Sequence, residues 1–262
     1  MRWLAAAVVL AGGITPALAA PPLRVVSMNL CTDQLAMQLA APGQLVSVSR
    51  LAADPLSSLM ADQATGYALN DGKAEQVYLM RPDLVIAGTY TARPAVEMLQ
   101  RLGVRVVSLP PAQSMQDVRA GITQMGDLLG RPAQAAELLA QFDADMAALP
   151  GSQGVVATGY APNGYTPGRD SLSGDVMRAA GLDLLADRLG MPAGGQVPLE
   201  LLVLAAPDLI VTGTRYPAAS RAEEVLDHPA FAAIPAKRAL VPDRGWMCGL
   251  PQIAHVAERL SR

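Results

Sequence analysis

A chain of 262 residues with 51% hydrophobic and 16% charged side chains is long enough for one large domain or for two of about 100 to 120 residues each. Its net charge of −3 and the lack of any basic run exclude nucleic acid as a partner. Arginine outnumbers lysine 18 to 2, the lysines being Lys73 and Lys237; genomic base composition or selection for guanidinium chemistry would each produce that ratio.

The N-terminus carries the three parts of a secretory signal: Met1-Arg2-Trp3, an apolar run from Leu4 to Ile14, and Ala17-Leu18-Ala19 before Ala20-Pro21. Cleavage is expected after Ala19 or Ala20, so residues 1–20 are read as a signal peptide. The apolar run is shorter than the roughly 20 residues a membrane span takes. No cysteine sits at the cleavage point, so a soluble exported protein is expected rather than a lipoprotein.

The mature chain opens with a strand over Arg24 to Met28, a loop from Asn29 to Thr32, and a helix capped by Thr32 or Asp33 that runs to about Ala40. Leu45 to Ser49 reads as a second strand leaving through Arg50, and 51–73 as an irregular stretch. A short helix and the strand Leu84 to Ala87 follow, then a helix around Arg93 to Leu102 and a strand from Val104 to Leu109. From Ser114 the apolar spacing turns helical through Val118, Ile122, Met125 and Leu129. Gly130-Arg131-Pro132 interrupts it, and a second helix runs from Pro132 to about Leu149, long enough at about 27 Å to bridge two lobes. Beyond it come a strand over Gly154 to Tyr160, a Gly/Pro-rich loop over 161–171, a helix over 173–180, a short helix and the strand Leu209 to Thr212, a helix near 222–226, a strand over Arg238 to Val241, and a last helix from Pro251 to Leu260. The expected units are thus an N-terminal lobe over 21–113, a helical connector over 114–149 and a C-terminal lobe over 150–262.

The chain repeats itself at an interval of 125 residues. EQVYLMRPDLVIAGT, from Glu75 to Thr89, and ELLVLAAPDLIVTGT, from Glu200 to Thr214, agree at seven of fifteen positions, where chance gives about one. Each copy parses as a short helix with a glutamate on its first turn, a Pro-Asp break, a strand and a Gly-Thr exit. The strands are apolar or β-branched at consecutive positions, as a strand covered on both faces requires. Two α/β lobes with parallel sheets follow from this pattern.

In open parallel sheets ligands bind beyond the carboxyl ends of the strands. That rule alone selects Met28, Asn29, Cys31, Arg50, Thr89, Tyr90 and Arg93 from the first half. From the second it selects Tyr160, Tyr165, Arg169, Thr214, Arg215, Tyr216, Arg244, Trp246 and Cys248. Rings for stacking and guanidinium forks suit a large, partly aromatic or metal-chelate ligand with negative groups. Cys31 and Cys248 leave the first and last strands. In an exported chain they form a disulfide, bind a metal or metal chelate as thiolates, or stay unpaired inside, and the sequence leaves all three open. A thiol or metal-handling protein working through these two residues is therefore the second functional reading.

The ordered set of Glu-x3-Leu-x2-Pro-Asp-Leu in both halves, Gly-Arg-Pro before the connecting helix, and Asp-His-Pro-Ala-Phe resembles the periplasmic substrate-binding proteins of the vitamin B12, ferric siderophore and haem ABC importers. The similarity covers about residues 22 to 262. It implies an α/β fold of the class III binding-protein type: two lobes of mainly parallel sheet joined by one long rigid helix, with ligand held between them and little hinge closure. It also implies a monomeric periplasmic protein that hands a corrinoid or ferric chelate, or less readily haem, to an inner-membrane ABC importer permease. Glu75 and Glu200 match the family's permease-docking glutamates. Neither cysteine belongs to the family's general pattern, so ligand identity does not carry over simply. An enzyme has no anchor in this sequence: no Gly-x-Ser-x-Gly turn, Walker A loop or Gly-x-Gly-x-x-Gly cofactor fingerprint is present, and His228 and His255 are too few for a zinc site.

Overall fold

The computed structural model describes residues 20–215 and 220–262; the signal peptide expected over 1–20, all but Ala20, and the candidate site residue Tyr216 lie outside the described residues. The first half runs β1 (Val25–Ser27), α1 (Leu30–Leu39), β2 (Leu45–Ser49), a 3-10 turn (Arg50–Ala53), α2 (Ala61–Ala64), β3 (Ala68–Asn70), α3 (Ala74–Leu79), β4 (Leu84–Gly88), α4 (Arg93–Arg101) and β5 (Val106–Leu109). Its five strands form a parallel sheet in the order β3-β2-β1-β4-β5. Helix α1 starts earlier than Thr32 or Asp33: Asn29 caps it, its Oδ1 accepting from the Cys31 amide at 3.0 Å. Thr32 and Asp33 instead turn inward and are buried. The stretch 51–73 is not wholly irregular, because α2 and the edge strand β3 lie within it.

Two helices connect the halves, α5 (Met115–Leu129) and α6 (Pro132–Ala147). Gly130, at φ 65°, ends α5 in the left-handed conformation, and Pro132 starts α6 where no intrahelical donor is needed. The helices fold back on each other, with Arg119 Nε 2.6 Å from Asp143 Oδ1. The bare Cα of Gly126 leaves room for Ala135.

The second half runs β6 (Val156–Gly159), β7 (Tyr165–Thr166), α7 (Leu172–Ala179), β8 (Asp183–Leu184), α8 (Leu185–Arg188), β9 (Gly195–Gln196), α9 (Leu199–Ala205), β10 (Leu209–Thr212), α10 (Pro229–Ala232), β11 (Lys237–Leu240) and α11 (Ile253–Leu260). The segment near 222–226 is a 3-10 helix, Arg221–Asp227, rather than an α-helix. Four strands form a parallel sheet in the order β11-β10-β6-β8, and β7 pairs antiparallel with β9. Read from its other edge, β8-β6-β10-β11 repeats β2-β1-β4-β5, so the sequence duplication is also a duplication of topology.

The repeated residues explain why both copies fold alike. Asp83 accepts from the Leu23 and Arg24 amides at 2.7 and 3.1 Å, and Asp208 from the Val156 amide at 2.9 Å; each carboxylate ties the start of its strand to the start of the central one. Gly88 and Gly213 make room for a polar side chain from a different strand end: a Cβ would lie 2.8 Å from Asn29 Nδ2 at Gly88 and would collide with Asp243 Oδ1 at Gly213. Just before each Pro-Asp pair the backbone turns left-handed, at Arg81 (φ 52°) and Ala206 (φ 42°), although the two side chains differ. That conformation costs a residue with a Cβ about 1 kcal/mol. Ala206→Gly is therefore expected to raise the unfolding free energy by about 0.5–1 kcal/mol, measured by urea denaturation.

Alternating side chains on each strand face different layers. Val25, Leu84 and Ile86 enter a central core, whereas Val26 and Val85 pack outward with Val77 of α3 and Leu99 of α4. In the second sheet Leu209 and Val211 face the same central core, and Ile210 packs outward with Leu202 and Phe231. The central core is continuous through both sheets and α1, α5, α6, α7 and α11. Large opening of one sheet against the other would expose it.

Candidate functional site

Beyond the carboxyl ends of β6 and β10, the chain leaves through Gly159-Tyr160 and Gly213-Thr214-Arg215 and encloses a pocket of about 210 Å³. Trp246, Tyr165, Pro162, Pro167 and Leu226 supply its apolar surface, and Arg215, Glu223 and Asp243 its charge. Trp246 is partly buried against the central core, and the Tyr165 ring is 43% exposed. Arg215 is already paired, 2.7 Å from Asp227 and 3.5 Å from the buried Glu223. Asp227 first, by hydrogen bond, and both carboxylates by charge hold the guanidinium in its protonated form. The pocket therefore offers rings and a paired arginine among carboxylates, not a free anion clamp.

A second pocket, of about 460 Å³, lies beyond the ends of β1, β2 and β3. Met28, Asn29, Ser49, Arg50, Asn70 and Asp71 line it, with Thr91 and Ala92 from the loop after β4. Here too the arginine has a partner, Arg50 Nε standing 2.7 Å from Asp71 Oδ1, and that contact holds the Asp71 carboxyl below the usual range. Buried side chains fix the floor: Asn70 Nδ2 donates to the Ser27 carbonyl at 2.8 Å and to Ser47 Oγ at 2.9 Å. Gln34 Oε1 accepts from Ser58 Oγ and the Leu59 amide, which secures the loop after Arg50.

That loop meets the second lobe. Arg244 Nη1 donates to the Pro55 carbonyl at 2.7 Å, from a residue between the pocket-lining Asp243 and Trp246. Arg244 thus links the loop after Arg50 to the segment between Asp243 and Trp246, and one of its donors is engaged in holding the two lobes together. Below the rim the lobes are joined covalently, Cys31 to Cys248, with Cα atoms 5.0 Å apart. Both sulfurs are in that bond, so neither is a thiolate for a metal, and the thiol-based reading loses its nucleophile.

Several strand-end residues serve elsewhere. Tyr160 contributes to the pocket wall, but its side chain is only 1% exposed, stacked on Phe231 at 5.5 Å, and its hydroxyl donates to the Val197 carbonyl. It is a core residue without a hydroxyl to offer a metal. Tyr90 (86% exposed) and Arg93 lie outside both pockets, as does Arg169, which faces Asp187 at 3.4 Å. His228 caps α10, its Nδ1 accepting from the Ala230 amide. Glu223, Asp243, Asn70 and Asp71 are pocket residues that the sequence reading missed. Asn70 ends and Asp71 follows a strand too short to show periodicity, and once β3 is placed the strand-end rule would have chosen them.

Among the described residues no group of three or more His, Cys, Asp or Glu side chains is arranged to hold a metal ion, and no helix is long and apolar enough to cross a membrane. A family model described as "Periplasmic binding protein" matches residues 25–239. The chain belongs to that family. Its members are substrate-binding transport proteins that act in the periplasm and are not enzymes. No curated protein sequence matches the chain. Solved structures share the fold at low identity. A possible iron-binding (periplasmic solute-binding) protein from Staphylococcus epidermidis superposes with a TM-score of 0.74 at 20% identity, covering 92% of this chain and 98% of that one. The haem-binding protein HutB of Vibrio cholerae gives 0.73 at 18%, covering 91% and 97%. The vitamin B12 binding protein BtuF of Vibrio cholerae gives 0.64 at 16%, covering 92% and 96%.

As a periplasmic binding protein the chain has a second surface of interest, the outer ends of the duplicated helices. Glu75 and Glu200 are exposed on the first turns of α3 and α9, and neither makes a hydrogen bond or ion pair among the described residues. A carboxylate there gains about 0.3–1 kcal/mol from the helix dipole, which accounts for one such residue more easily than for a matched pair.

Proposed function

We propose that this periplasmic binding protein, exported as a soluble monomer after removal of residues 1–20, captures a metal already enclosed in an organic chelator. It delivers that chelate to an inner-membrane ABC importer through Glu75 and Glu200. The observation that carries the chelate reading is the pair of strand-end pockets, one on each lobe, with Trp246 and Tyr165 in the second and every pocket arginine already neutralised by Asp71, Asp227 or Glu223. A bare cation would need converging ligands, and a strongly anionic ligand such as haem, with its carboxylates, would need unpaired guanidinium groups. A corrinoid or a ferric siderophore of low net charge, such as a hydroxamate, which brings its own metal ligands and a large amide-rich surface, fits better than haem. The protein needs no cofactor of its own for this task.

Trp246 and Trp3 are the only tryptophans, and Trp3 leaves with the signal peptide. Intrinsic fluorescence of the mature protein therefore reports the second pocket alone. Titration with cobalamin, cobinamide or a matching ferric siderophore is expected to quench it saturably, with haemin weaker and free ferric ion without effect. Trp246→Ala is expected to weaken chelate binding about tenfold or more when followed by calorimetry. Saturable quenching by haemin alone would reverse the order of preference, and no response to any chelate would remove the reading.

A further inference from the structure

Five of the seven residue pairs shared by the two copies have internal work: the prolines and aspartates form the turn and pin the strands, Leu84 and Leu209 are buried, the glycines admit Asn29 and Asp243, and Thr89 and Thr214 bond strand ends. Two pairs do not. Glu75 and Glu200 point outward, and so do Leu79 and Leu204, at 78% and 82% exposure. The leucine lies four residues after the glutamate in each copy, one turn along the same helical face. The residue before it, Tyr78 or Val203, is also exposed, at 44% and 41%. A single exposed leucine is unremarkable; the same one twice, each time beside an uncommitted carboxylate, is a built surface.

We propose that Leu79 and Leu204 are the apolar half of the surface that docks onto the importer permease, each lobe presenting one carboxylate and, one turn on, one leucine. This rests on the docking reading of Glu75 and Glu200. On the second lobe the leucine lines a groove of about 650 Å³ together with Leu199, Val203, Val225 and Ala230, with Glu200, Glu224 and His228 as its polar residues. An apolar groove with an acidic edge is complementary to a permease loop that carries an apolar side chain flanked by arginine or lysine. A second copy of this chain suits it poorly. Each molecule bears two equivalent patches of the same sign, so copies meeting through them would set Glu75 and Glu200 against one another's like charge or grow head to tail without closing. A partner that offers the same element at two places engages both at once.

The test uses the mature protein, loaded with its chelate, and the importer that takes up that chelate in the source bacterium, purified into nanodiscs. Leu79→Ser/Leu204→Ser is expected to bind the nanodiscs about ten- to hundredfold more weakly at both low and high salt, with melting temperature and chelate affinity unchanged. Glu75→Ala/Glu200→Ala is expected to lose affinity mainly at low salt. Leu204→Ser alone should cost more than Leu79→Ser, because it opens the groove. Full affinity in the leucine pair beside a loss in the glutamate pair would overturn the proposal and leave the docking reading standing. Full affinity in both pairs would remove the docking reading itself. A parent protein that sediments as an oligomer and is dispersed by the leucine changes would assign the surface to self-association, which also overturns the proposal.

Discussion

With Cys31 and Cys248 both replaced by alanine, the mature protein is expected to lose about 2–4 kcal/mol of unfolding free energy and about 4–16 °C in melting temperature. The bond spans 217 residues and joins the start of α1 to the loop between β11 and α11, so in the unfolded chain it closes nearly the whole polypeptide. The loss is expected in urea titrations, and reduction of the parent protein should reproduce most of it while leaving the variant unmoved. Equal curves for oxidised parent and variant would mean that the cross-link constrains nothing. The variant is nevertheless expected to stay one cooperative unit, because the central core runs unbroken between the sheets and Gln38 and Gln252 exchange hydrogen bonds across the same junction. What should loosen is the rim. Amide exchange over the loop that carries Pro55 should quicken, since Arg244 holds that loop from the far lobe and loses its covalent neighbour. A disulfide that joins the two lobes narrows the range of lobe separations, and so favours one ligand size over adaptable closure.

The doubled architecture was legible because its signal is redundant. Pro-Asp and the buried strand that follows do the same job twice, and a segment seen twice is hard to misread. The elements that escaped notice were short and solitary: α2 has four residues and β3 three, and the 3-10 helix over Arg221–Asp227 reads from sequence as an α-helix. The cap of α1 was misplaced because Thr32 and Asp33 are good capping residues in general; Asn29 reaches the amide of Cys31 first and turns the other two inward. At the site, strand ends told where polar residues gather but not what each one bonds. Arg50 and Arg215 look from sequence like forks for an anion, yet Asp71, Glu223 and Asp227, distant by 21, 8 and 12 residues, meet them in space. Tyr160 ends a strand as the rule requires, but its ring packs with Phe231 from α10 on the outer layer of the sheet. Partners set by tertiary contact carry no mark in the local sequence.

The inward turn of Asp33 has a pH consequence. Its side chain is fully buried, with Ser49 donating to Oδ2 from both its amide, at 3.1 Å, and its hydroxyl. Burial pushes the carboxyl up from its ordinary value near 3.8 to about 6, against the opposing pull of hydrogen bonds from Ser27 and Ser49. A raised acid titrates stability in the direction opposite to a salt-bridged one. Between about pH 4 and 6 the folded protein keeps a proton that the unfolded chain has released, so the contribution is most favourable below pH 4 and is lost as pH climbs to 6. Above that the buried carboxylate costs about 3 kcal/mol, two units at about 1.4 kcal/mol each. Asp33→Asn keeps an acceptor for Ser49 and cannot ionise. The variant is expected to match the parent near pH 4 and to exceed it by about 1–3 kcal/mol at pH 7.5, with the gap opening between pH 4 and 6 in chemical denaturation. A gap that is constant with pH would show that Asp33 titrates normally. An ionised carboxylate holds the Ser49 amide more firmly than an amide oxygen does, and Ser49 is the last residue before Arg50 in the wall of the N-terminal pocket. Exchange of the Ser49 amide should therefore be faster in the more stable protein, a separation of local from global order that burial alone would not produce.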